Sequence, residues 1–246
     1  ALTCDHRLKY SEITYSSAKI PLELNGYVIA FVTDTHEITD EDLQKVVNRI
    51  NDRKVNLLLL GGDFANTAEY MQNGLAILSR TVTEDGIYGV DGNHDKFWEL
   101  LPAMKQYGIK PLDNNGLYIK PGFYLAGVQD LWIRKPNVPQ AVSDAEPVDF
   151  VVLLSHNPDV SMQQDMAKVD LMLSGHYHGG HVTFFGLWAP ALWPLKSFTP
   201  YGQKFMRGWA KANNNVDVFV STGIGYRSTP RVVAQPQVVV VTLTAE

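Results

Sequence analysis

Cysteine is almost absent from this chain of 246 residues, which contains one, Cys4. One cysteine cannot form a disulfide within the chain, so a disulfide-stabilised scaffold is excluded and neither an oxidising nor a reducing compartment is indicated. It also cannot supply the several thiolates of a structural zinc site. Metal chemistry in this protein would therefore use oxygen and nitrogen ligands.

Long apolar runs and an excess of positive charge are also missing. No stretch approaches the roughly 18–20 uninterrupted apolar residues that cross a bilayer, and no basic start followed by an apolar run marks a signal peptide, so we expect the chain as given to be soluble. Lysine and arginine number 21 against 26 aspartates and glutamates, a formal net charge of -5. This balance argues against a general nucleic-acid binder, which carries a broad basic face.

The composition that remains is typical of a globular protein. Hydrophobic residues make up 45% of the chain and charged residues 19%, which excludes a disordered or low-complexity protein. A chain of this length is within reach of one large domain with a sizeable core.

Three times, a short apolar run is followed by a polar cluster and then by an amphipathic helix. The runs and clusters are residues 27–33 before Asp34-Thr35-His36, Leu57–Leu60 before Gly61-Gly62-Asp63, and residues 87–90 before Asp91-Gly92-Asn93-His94-Asp95. The runs are short enough to be buried strands. The first helix would be capped by Thr39 or Asp40. Its apolar face follows the spacing of a helix and consists of Leu43, Val46, Val47 and Ile50.

Two later apolar runs also stop at histidines. Phe150–Leu154 precedes Ser155-His156-Asn157-Pro158, and residues 171–173 precede a cluster that contains His176, His178 and His181. Between these blocks, turn residues at 113–116 and at Pro121-Gly122 predict hairpins. Residues 216–220 and 238–243 predict two further strands. Because ligands gather at the carboxyl ends of strands in α/β sheets, we expect the five polar clusters to meet.

The order Asp-x-His, Gly-Gly-Asp, Gly-Asn-His-Asp, His, Gly-His-x-His resembles the calcineurin-like metallophosphoesterase family over about residues 27–181. The resemblance implies a four-layer α-β-β-α sandwich of two mixed sheets with a dinuclear metal site at one end. We expect one domain over 1–246, with 1–26 as an N-terminal extension and 182–211 as a lid or substrate-wall insertion. The bacterial phosphodiesterase branch similar to UDP-2,3-diacylglucosamine hydrolases is the nearest, although Tyr177 and His181 depart from its usual strings.

The family pattern implies a role for each residue of the clusters. Asp63 would bridge two divalent ions. The other ligands would be Asp34, His36 and His178 for one ion, and Asn93, His156 and His176 for the other. Imidazole, carboxylate and amide ligands suit Mn²⁺, Fe or Zn²⁺. If residues 34 to 36 and 176 to 178 are extended, side chains two apart point to one side.

The expected chemistry is hydrolysis of a phosphate ester by a hydroxide held between both ions. His94 follows a ligand directly, so it is the expected general acid, and Asp95 could orient its imidazole. Ser155 lacks the Gly-x-Ser-x-Gly context of a serine nucleophile. For His181, packing beside the site and a direct role both stay open.

The substrate is indicated by an apolar aromatic stretch at 184–195 and by basic residues that follow it. These basic residues are Lys196, Lys204, Arg207, Lys211, Arg227 and Arg231. Apolar plus basic surface suits an amphiphilic phosphate ester or peripheral contact with a membrane, and nucleic acid is not the expected partner. The alternative, that the aromatic residues fill the edge of the second sheet and the basic groups are solvated, stays open. We expect membrane association or export through an N-terminal anchor outside this chain, or otherwise a cytoplasmic location.

The sequence thus predicts a binuclear phosphodiesterase or pyrophosphatase that acts on a lipid or cell-envelope compound. A nuclease or cyclic-nucleotide phosphodiesterase is the alternative among enzymes. A metal-dependent binding module without catalysis is the alternative outside them.

Overall fold

A computed structural model describes residues 7–36, 38–183, 188–192, 199–225 and 233–246. In these residues the chain forms two mixed β-sheets of six strands each and five α-helices, which confirms the expected fold class. No helix in the described part of the chain is long and apolar enough to cross a membrane.

Five central strands have bounds close to those that the apolar runs predict. The strands are β1 Lys9–Ser17, β2 Val28–Val32, β3 Leu57–Leu60, β4 Ile87–Gly89, β5 Lys110–Pro111, β6 Asn115–Lys120, β7 Phe123–Gly127, β8 Phe150–Leu154, β9 Leu171–Ser174, β10 Gly208–Lys211, β11 Asp217–Val220 and β12 Gln237–Ala245. The five central strands are β2, β3, β4, β8 and β9. The helices are α1 Asp40–Arg53, α2 Ala68–Leu78, α3 Phe97–Gln106, α4 Val138–Ala141 and α5 Val160–Gln163.

In each sheet, the strand order places the parallel strands side by side at the centre. Sheet 1 has the order β1-β12-β2-β3-β4-β5, and sheet 2 has the order β10-β11-β9-β8-β7-β6. β2, β3 and β4 pair in parallel, as do β7, β8 and β9. The polar clusters follow the carboxyl ends of these strands.

β2 shows why the fold has four layers. Val28, Ala30 and Val32 pack in a cluster with the buried face of α1. Ile29 and Phe31 point to the opposite side and pack in the core between the two sheets. Because both faces are covered, the strand is a continuous apolar run rather than an alternating one. A third cluster covers the outer face of sheet 2 and includes residues of α4 and α5.

The first helix begins where its capping residue allows. The hydroxyl oxygen of Thr39 accepts a hydrogen bond from the N–H of Asp42 at 3.1 Å, so Thr39, not Asp40, is the cap. The four predicted inward residues of α1 are all buried, and the helix ends at Lys54 in the left-handed conformation.

Two strands lie in segments that the sequence analysis treats as peripheral. β1 lies within residues 1–26 and pairs in parallel with β12 along its full length. β10 lies within 182–211 and pairs antiparallel with β11. Both strands are at sheet edges and alternate between exposed and half-buried residues. They therefore lack the apolar run that marks the central strands.

Residues 111–128 contain one hairpin instead of the several that were expected. β6 and β7 pair antiparallel around Pro121 and Gly122. The other predicted turn, at 113–116, lies where the chain leaves sheet 1 after β5 and enters sheet 2 at β6. That prediction of a hairpin is wrong, because turn residues show where a chain changes direction but not which strands then pair.

Candidate metal centre

Two groups of buried side chains meet where the strand ends of the two sheets converge. Asp34, His36, Asp63 and His178 each offer one donor atom, and these atoms lie within 4.8 Å of one another. A second group of the same kind consists of Asp63, His156 and His176. Asp63 belongs to both groups, which is the position expected of a bridging carboxylate.

The first group is a pair of imidazoles between two carboxylates. Nε2 of His36 and Nε2 of His178 are 3.2 Å apart. Nε2 of His178 is 3.4 Å from Oδ1 of Asp34, and Nε2 of His36 is 3.8 Å from Oδ2 of Asp63. All four donor atoms thus point to one small volume.

The second group is oriented by the main chain. Nδ1 of His156 lies 2.8 Å from the carbonyl oxygen of Gly61 and donates to it, which leaves Nε2 as the free ring nitrogen. That Nε2 is 3.2 Å from Oδ2 of Asp63 and 3.2 Å from Nδ1 of His176. A hydrogen bond to a main-chain carbonyl is the usual way in which a metal-binding imidazole is oriented.

Asn93 contributes an unpaired acceptor. Its side-chain oxygen Oδ1 is buried and has no hydrogen-bond partner among the described residues. A buried amide oxygen without a partner costs free energy, because it has given up its bonds to water. A cation is a natural partner for it, so the buried oxygen and nitrogen donors fit a hard or borderline divalent metal.

Asp63 and the neighbouring imidazoles shift each other's pKa values. Burial opposes its ionisation, but His156 and His36 outweigh burial and hold the pKa of Asp63 below its ordinary value. For His156, burial lowers the pKa, yet the Asp63 carboxylate outweighs burial, so the pKa of His156 lies well above its ordinary value. Burial, reinforced by His156, lowers the pKa of His176 well below its usual value. Asp63 and the surrounding imidazoles therefore interact strongly within the site.

Left-handed backbone conformations direct the ligands towards each other. The φ angles are +53° at Asp34, +42° at His36, +55° at Asp63, +75° at His176 and +49° at His178. Such angles are uncommon outside glycine and cluster at functional sites. The expectation that these ligand pairs lie on extended segments is wrong. They converge through strained turns that follow the strands.

Gly175 makes room for the first carboxylate. A Cβ atom at this position would lie 2.1 Å from Oδ2 of Asp34. The next residue, His176, donates its main-chain N–H to both oxygens of Asp34 at 3.2 Å. The hydroxyl of Thr33 donates to Oδ2 at 2.8 Å. The glycine thus permits the close approach that links the two sheets at Asp34.

His94 lies beside the centre with its side chain exposed. Its main-chain N–H donates to Oδ1 of Asp63 at 2.8 Å. Its ring meets the ring of His36 edge-on, with centroids 5.4 Å apart. The main chain of His94 is therefore fixed while its imidazole remains exposed to solvent.

Asp95 makes different contacts from those expected of a residue that orients His94. Oδ2 of Asp95 accepts from the main-chain N–H groups of Asp63 and Gly92, both at 2.8 Å, and Oδ1 accepts from Phe64 at 2.8 Å. Burial and the nearby Asp63 raise the pKa of Asp95 to about 8. These contacts join the loop after β3 to the loop after β4, so they position Asp63.

Two other residues of the histidine cluster differ in their surroundings. The ring of His181 tilts over the ring of His178 with centroids 4.7 Å apart. Tyr177 is buried among the apolar residues on the outer face of sheet 2, and its ring edge contacts His176. Tyr177 thus packs away from the donor atoms.

One loop at this rim contains none of the predicted site residues. Residues 128–135, which we call the Trp132 loop, follow β7 and bring the indole of Trp132 against the imidazole of His176, with ring centroids 4.3 Å apart. The signal was available, because Asp130 follows a buried strand as the other clusters do. It was missed because the loop contains no histidine.

Comparison with known proteins is consistent with a metal centre at this site. The family model of calcineurin-like phosphoesterases matches residues 27–180, and the chain belongs to that family. The family consists of metal-dependent phosphoester hydrolases, so the predictions of the family and of the enzyme class are confirmed.

Curated relatives match nearly the whole chain at low identity. An uncharacterized metallophosphoesterase of Bacillus subtilis, YkuE, is 28% identical over 97% of this chain and 86% of its own length. An uncharacterized metallophosphoesterase of Aquifex aeolicus is 26% identical over 96% and 92%. One of Helicobacter pylori is 26% identical over 91% of this chain, which spans 60% of that longer protein.

Proposed function

We propose that this chain is a binuclear phosphodiesterase or pyrophosphatase acting on a lipid or cell-envelope phosphate ester. The observation that carries the proposal is the membership of Asp63 in both groups of donor atoms. One carboxylate has two oxygens and can serve two cations about 3.5–4 Å apart, as in two-metal phosphoryl-transfer sites.

Asp63 would be a ligand of both cations, and each cation would also have ligands of its own. Asp34, His36 and His178 would hold one ion, and Asn93, His156 and His176 the other. Mn²⁺, Fe and Zn²⁺ all suit these donors. Bound divalent cations supply a Lewis acid for the phosphoryl oxygens and lower the pKa of water to about 7.

His94 would act as the general acid. Its main chain is held by Asp63, and its exposed imidazole can donate a proton to the leaving oxygen. Asp95 would support this geometry indirectly, through the main chain around Asp63.

The proposed amphiphilic substrate is supported by apolar side chains exposed near the site. Trp98 lies in the first turn of α3, shortly after His94, and is 73% exposed. Trp132 and Ile133 on the Trp132 loop are about half exposed. Such aromatic surface suits the apolar part of an ester or peripheral contact with a bilayer. We also retain the resemblance to the UDP-2,3-diacylglucosamine hydrolase branch and the cell-envelope setting as parts of the proposal.

The predicted lid or wall is only partly described. The residues of this prediction that lie outside the described part of the chain are Phe184, Phe185, Leu187, Trp193, Pro194, Leu195, Lys196, Arg227 and Arg231. Within the stretch, Ala189 is fully buried, and both its N–H and its carbonyl are hydrogen-bonded to the side chain of Gln203 at 2.9 Å. This contact supports a fixed wall within one domain over 1–246.

Hydrolysis of two chromogenic esters tests the proposal. With Mn²⁺ added, we expect bis-p-nitrophenyl phosphate to be hydrolysed faster than p-nitrophenyl phosphate, and chelation to abolish both activities. Faster turnover of the monoester would contradict the diesterase preference. Cleavage of DNA or of 2′,3′-cyclic nucleotides, with none of lipid pyrophosphates, would favour the nucleotide-directed alternative. A fully metallated chain without activity would indicate a binding module.

A further inference from the structure

We propose that Trp132 forms a subsite for the apolar organic group of the phosphate ester, on the His176 side of the metal centre. The inference rests on the proposed function, because it assigns the part of the substrate next to the phosphate.

The position of the indole carries the argument. Its ring is perpendicular to the imidazole of His176, with centroids 4.3 Å apart. One edge therefore covers a proposed ligand, yet Trp132 remains 46% exposed. Apolar surface is thus left open directly beside a cluster of charged and polar donors. A substrate whose phosphate lies at those donors would bring its ester group against this surface.

The Trp132 loop is held in place before any substrate arrives. Oδ1 of Asp130 accepts from the main-chain N–H groups of Trp132 and Ile133, at 2.8 and 3.2 Å. Asp130 is fully buried, and its own N–H donates to Oδ1 of Asp91 at 3.1 Å. The turn that presents the indole is therefore fixed to the loop after β4, which also contains Asn93.

A half-buried ion-pair network holds the other end of the loop in place. The guanidinium of Arg134 contacts Oδ2 of Asp91 at 3.1 Å and Oδ1 of Asp113 at 3.0 Å. Two carboxylates already balance the charge of Arg134. We therefore assign this arginine to holding the loop in place and not to binding the phosphate. Of the side chains that the loop exposes, Trp132 and Ile133 are apolar and Lys135 is basic, and Trp132 is the one in contact with His176.

An indole placed this way binds by apolar contact, which depends on the size of the ester group. A longer alkyl group buries more apolar surface against the ring, and each methylene that it buries strengthens binding. We therefore expect a preference for longer alkyl groups that depends on Trp132.

Two phosphonates that cannot be hydrolysed as esters test this subsite. Their binding to the Mn²⁺-loaded chain is measured by isothermal titration calorimetry, using methylphosphonate and hexylphosphonate. We expect the wild type to bind hexylphosphonate about tenfold more tightly than methylphosphonate. In Trp132→Ala this preference falls to about twofold or less, while the affinity for methylphosphonate changes little. Trp132→Phe retains most of the preference, because it keeps an aromatic face.

Trp209 provides a matched control. It is also 46% exposed, but its ring packs on Phe219 and Tyr15 at the edge of the sandwich. Trp209→Ala should keep the full preference for hexylphosphonate.

The inference would be overturned by a wild type that binds both phosphonates equally well. It would also be overturned by a Trp132→Ala variant that keeps the preference for hexylphosphonate. If that variant weakens the binding of both phosphonates equally, the preference is kept, and Trp132 only positions His176. Hydrolysis of bis-p-nitrophenyl phosphate by the same wild-type preparation separates these outcomes from a failure of the proposed function itself.

Discussion

The main-chain N–H of His94 donates a 2.8 Å hydrogen bond to Oδ1 of Asp63. The proposed general acid and the proposed bridging carboxylate are therefore joined through one short contact. The contact uses the backbone of His94 and leaves its imidazole free to face a leaving group. Substitution of the side chain should thus change proton transfer without dismantling the metal site.

His94→Ala tests this separation. We expect kcat to fall by about 10²- to 10⁴-fold for a diester with an alkyl leaving group, because an alkoxide needs a proton as it leaves. The loss should be much smaller for bis-p-nitrophenyl phosphate, since p-nitrophenolate leaves without protonation. The measurement is kcat on both substrates, together with metal content. Equal losses on the two substrates would argue against a general acid.

Asp95→Asn distinguishes two roles for this carboxylate. If Asp95 positions Asp63 through the main chain, removal of one acceptor oxygen should weaken metal binding by about 10- to 100-fold, the usual effect of losing a group that orients ligands. If it orients His94 instead, metal affinity would stay the same while the pH profile of kcat shifts. Titration of the metal-free variant with Mn²⁺ decides between them.

Gly175→Ala and Gly74→Ala should have opposite effects on stability. A Cβ atom at Gly175 would overlap Asp34 and Thr33, so we expect the free energy of unfolding to fall by about 1–3 kcal/mol. Gly74 lies inside α2, and a Cβ atom there would meet nothing closer than 3.9 Å, so alanine should raise the free energy of unfolding by about 0.5–1 kcal/mol. Urea denaturation measures both. A stable Gly175→Ala variant with full metal content would contradict the close approach.

Alkaline stability should depend on Tyr27. Burial and the hydrogen bond to Asp85 raise the pKa of Tyr27 above its usual value of 10.0. Between pH 10 and the folded-state pKa, the folded chain holds a proton that the unfolded chain has lost, so the free energy of unfolding falls as the pH rises. Below pH 10, Tyr27 is protonated in both the folded and the unfolded chain, so it does not make the free energy of unfolding depend on pH.

Tyr27→Phe removes that dependence. At pH 8 the variant should be about 1 kcal/mol less stable, because the hydrogen bond to Asp85 is lost. Above pH 10 its free energy of unfolding should fall less steeply than that of the wild type, by up to about 1.4 kcal/mol per pH unit. Tyr70→Phe, at an exposed position, controls for the lost hydroxyl. Parallel curves for Tyr27→Phe and wild type would contradict the argument.

The central strands could be predicted because burial on both faces leaves a simple signal. Leu57–Leu60 and Phe150–Leu154 are apolar at every position, and the structure gives them the same bounds. β1 gives no such signal. Its sequence is mostly polar because it lies at the sheet edge, and its stability as a strand comes from pairing with β12, 220 or more residues away.

The meeting of the polar clusters could also be predicted, because strand ends of parallel sheets converge. The way in which the ligands turn towards one another could not. The left-handed angles at Asp34 and His176 are stabilised by contacts between distant segments, such as the bond from the N–H of His176 to Asp34. Likewise, the contacts of Asp95 and the position of Trp132 depend on how loops pack at the rim. A short motif in one loop carries no information about such contacts.

The number of metal ions bound per chain tests the central claim most directly. After loading with Mn²⁺ and removal of excess metal by gel filtration, elemental analysis should give two ions per chain for the wild type and for the surface variant Asp52→Asn. It should give fewer than one for Asp63→Asn, because both groups of donors lose their shared carboxylate. A wild type that binds one ion or none, or an Asp63→Asn variant that still binds two, would contradict the account.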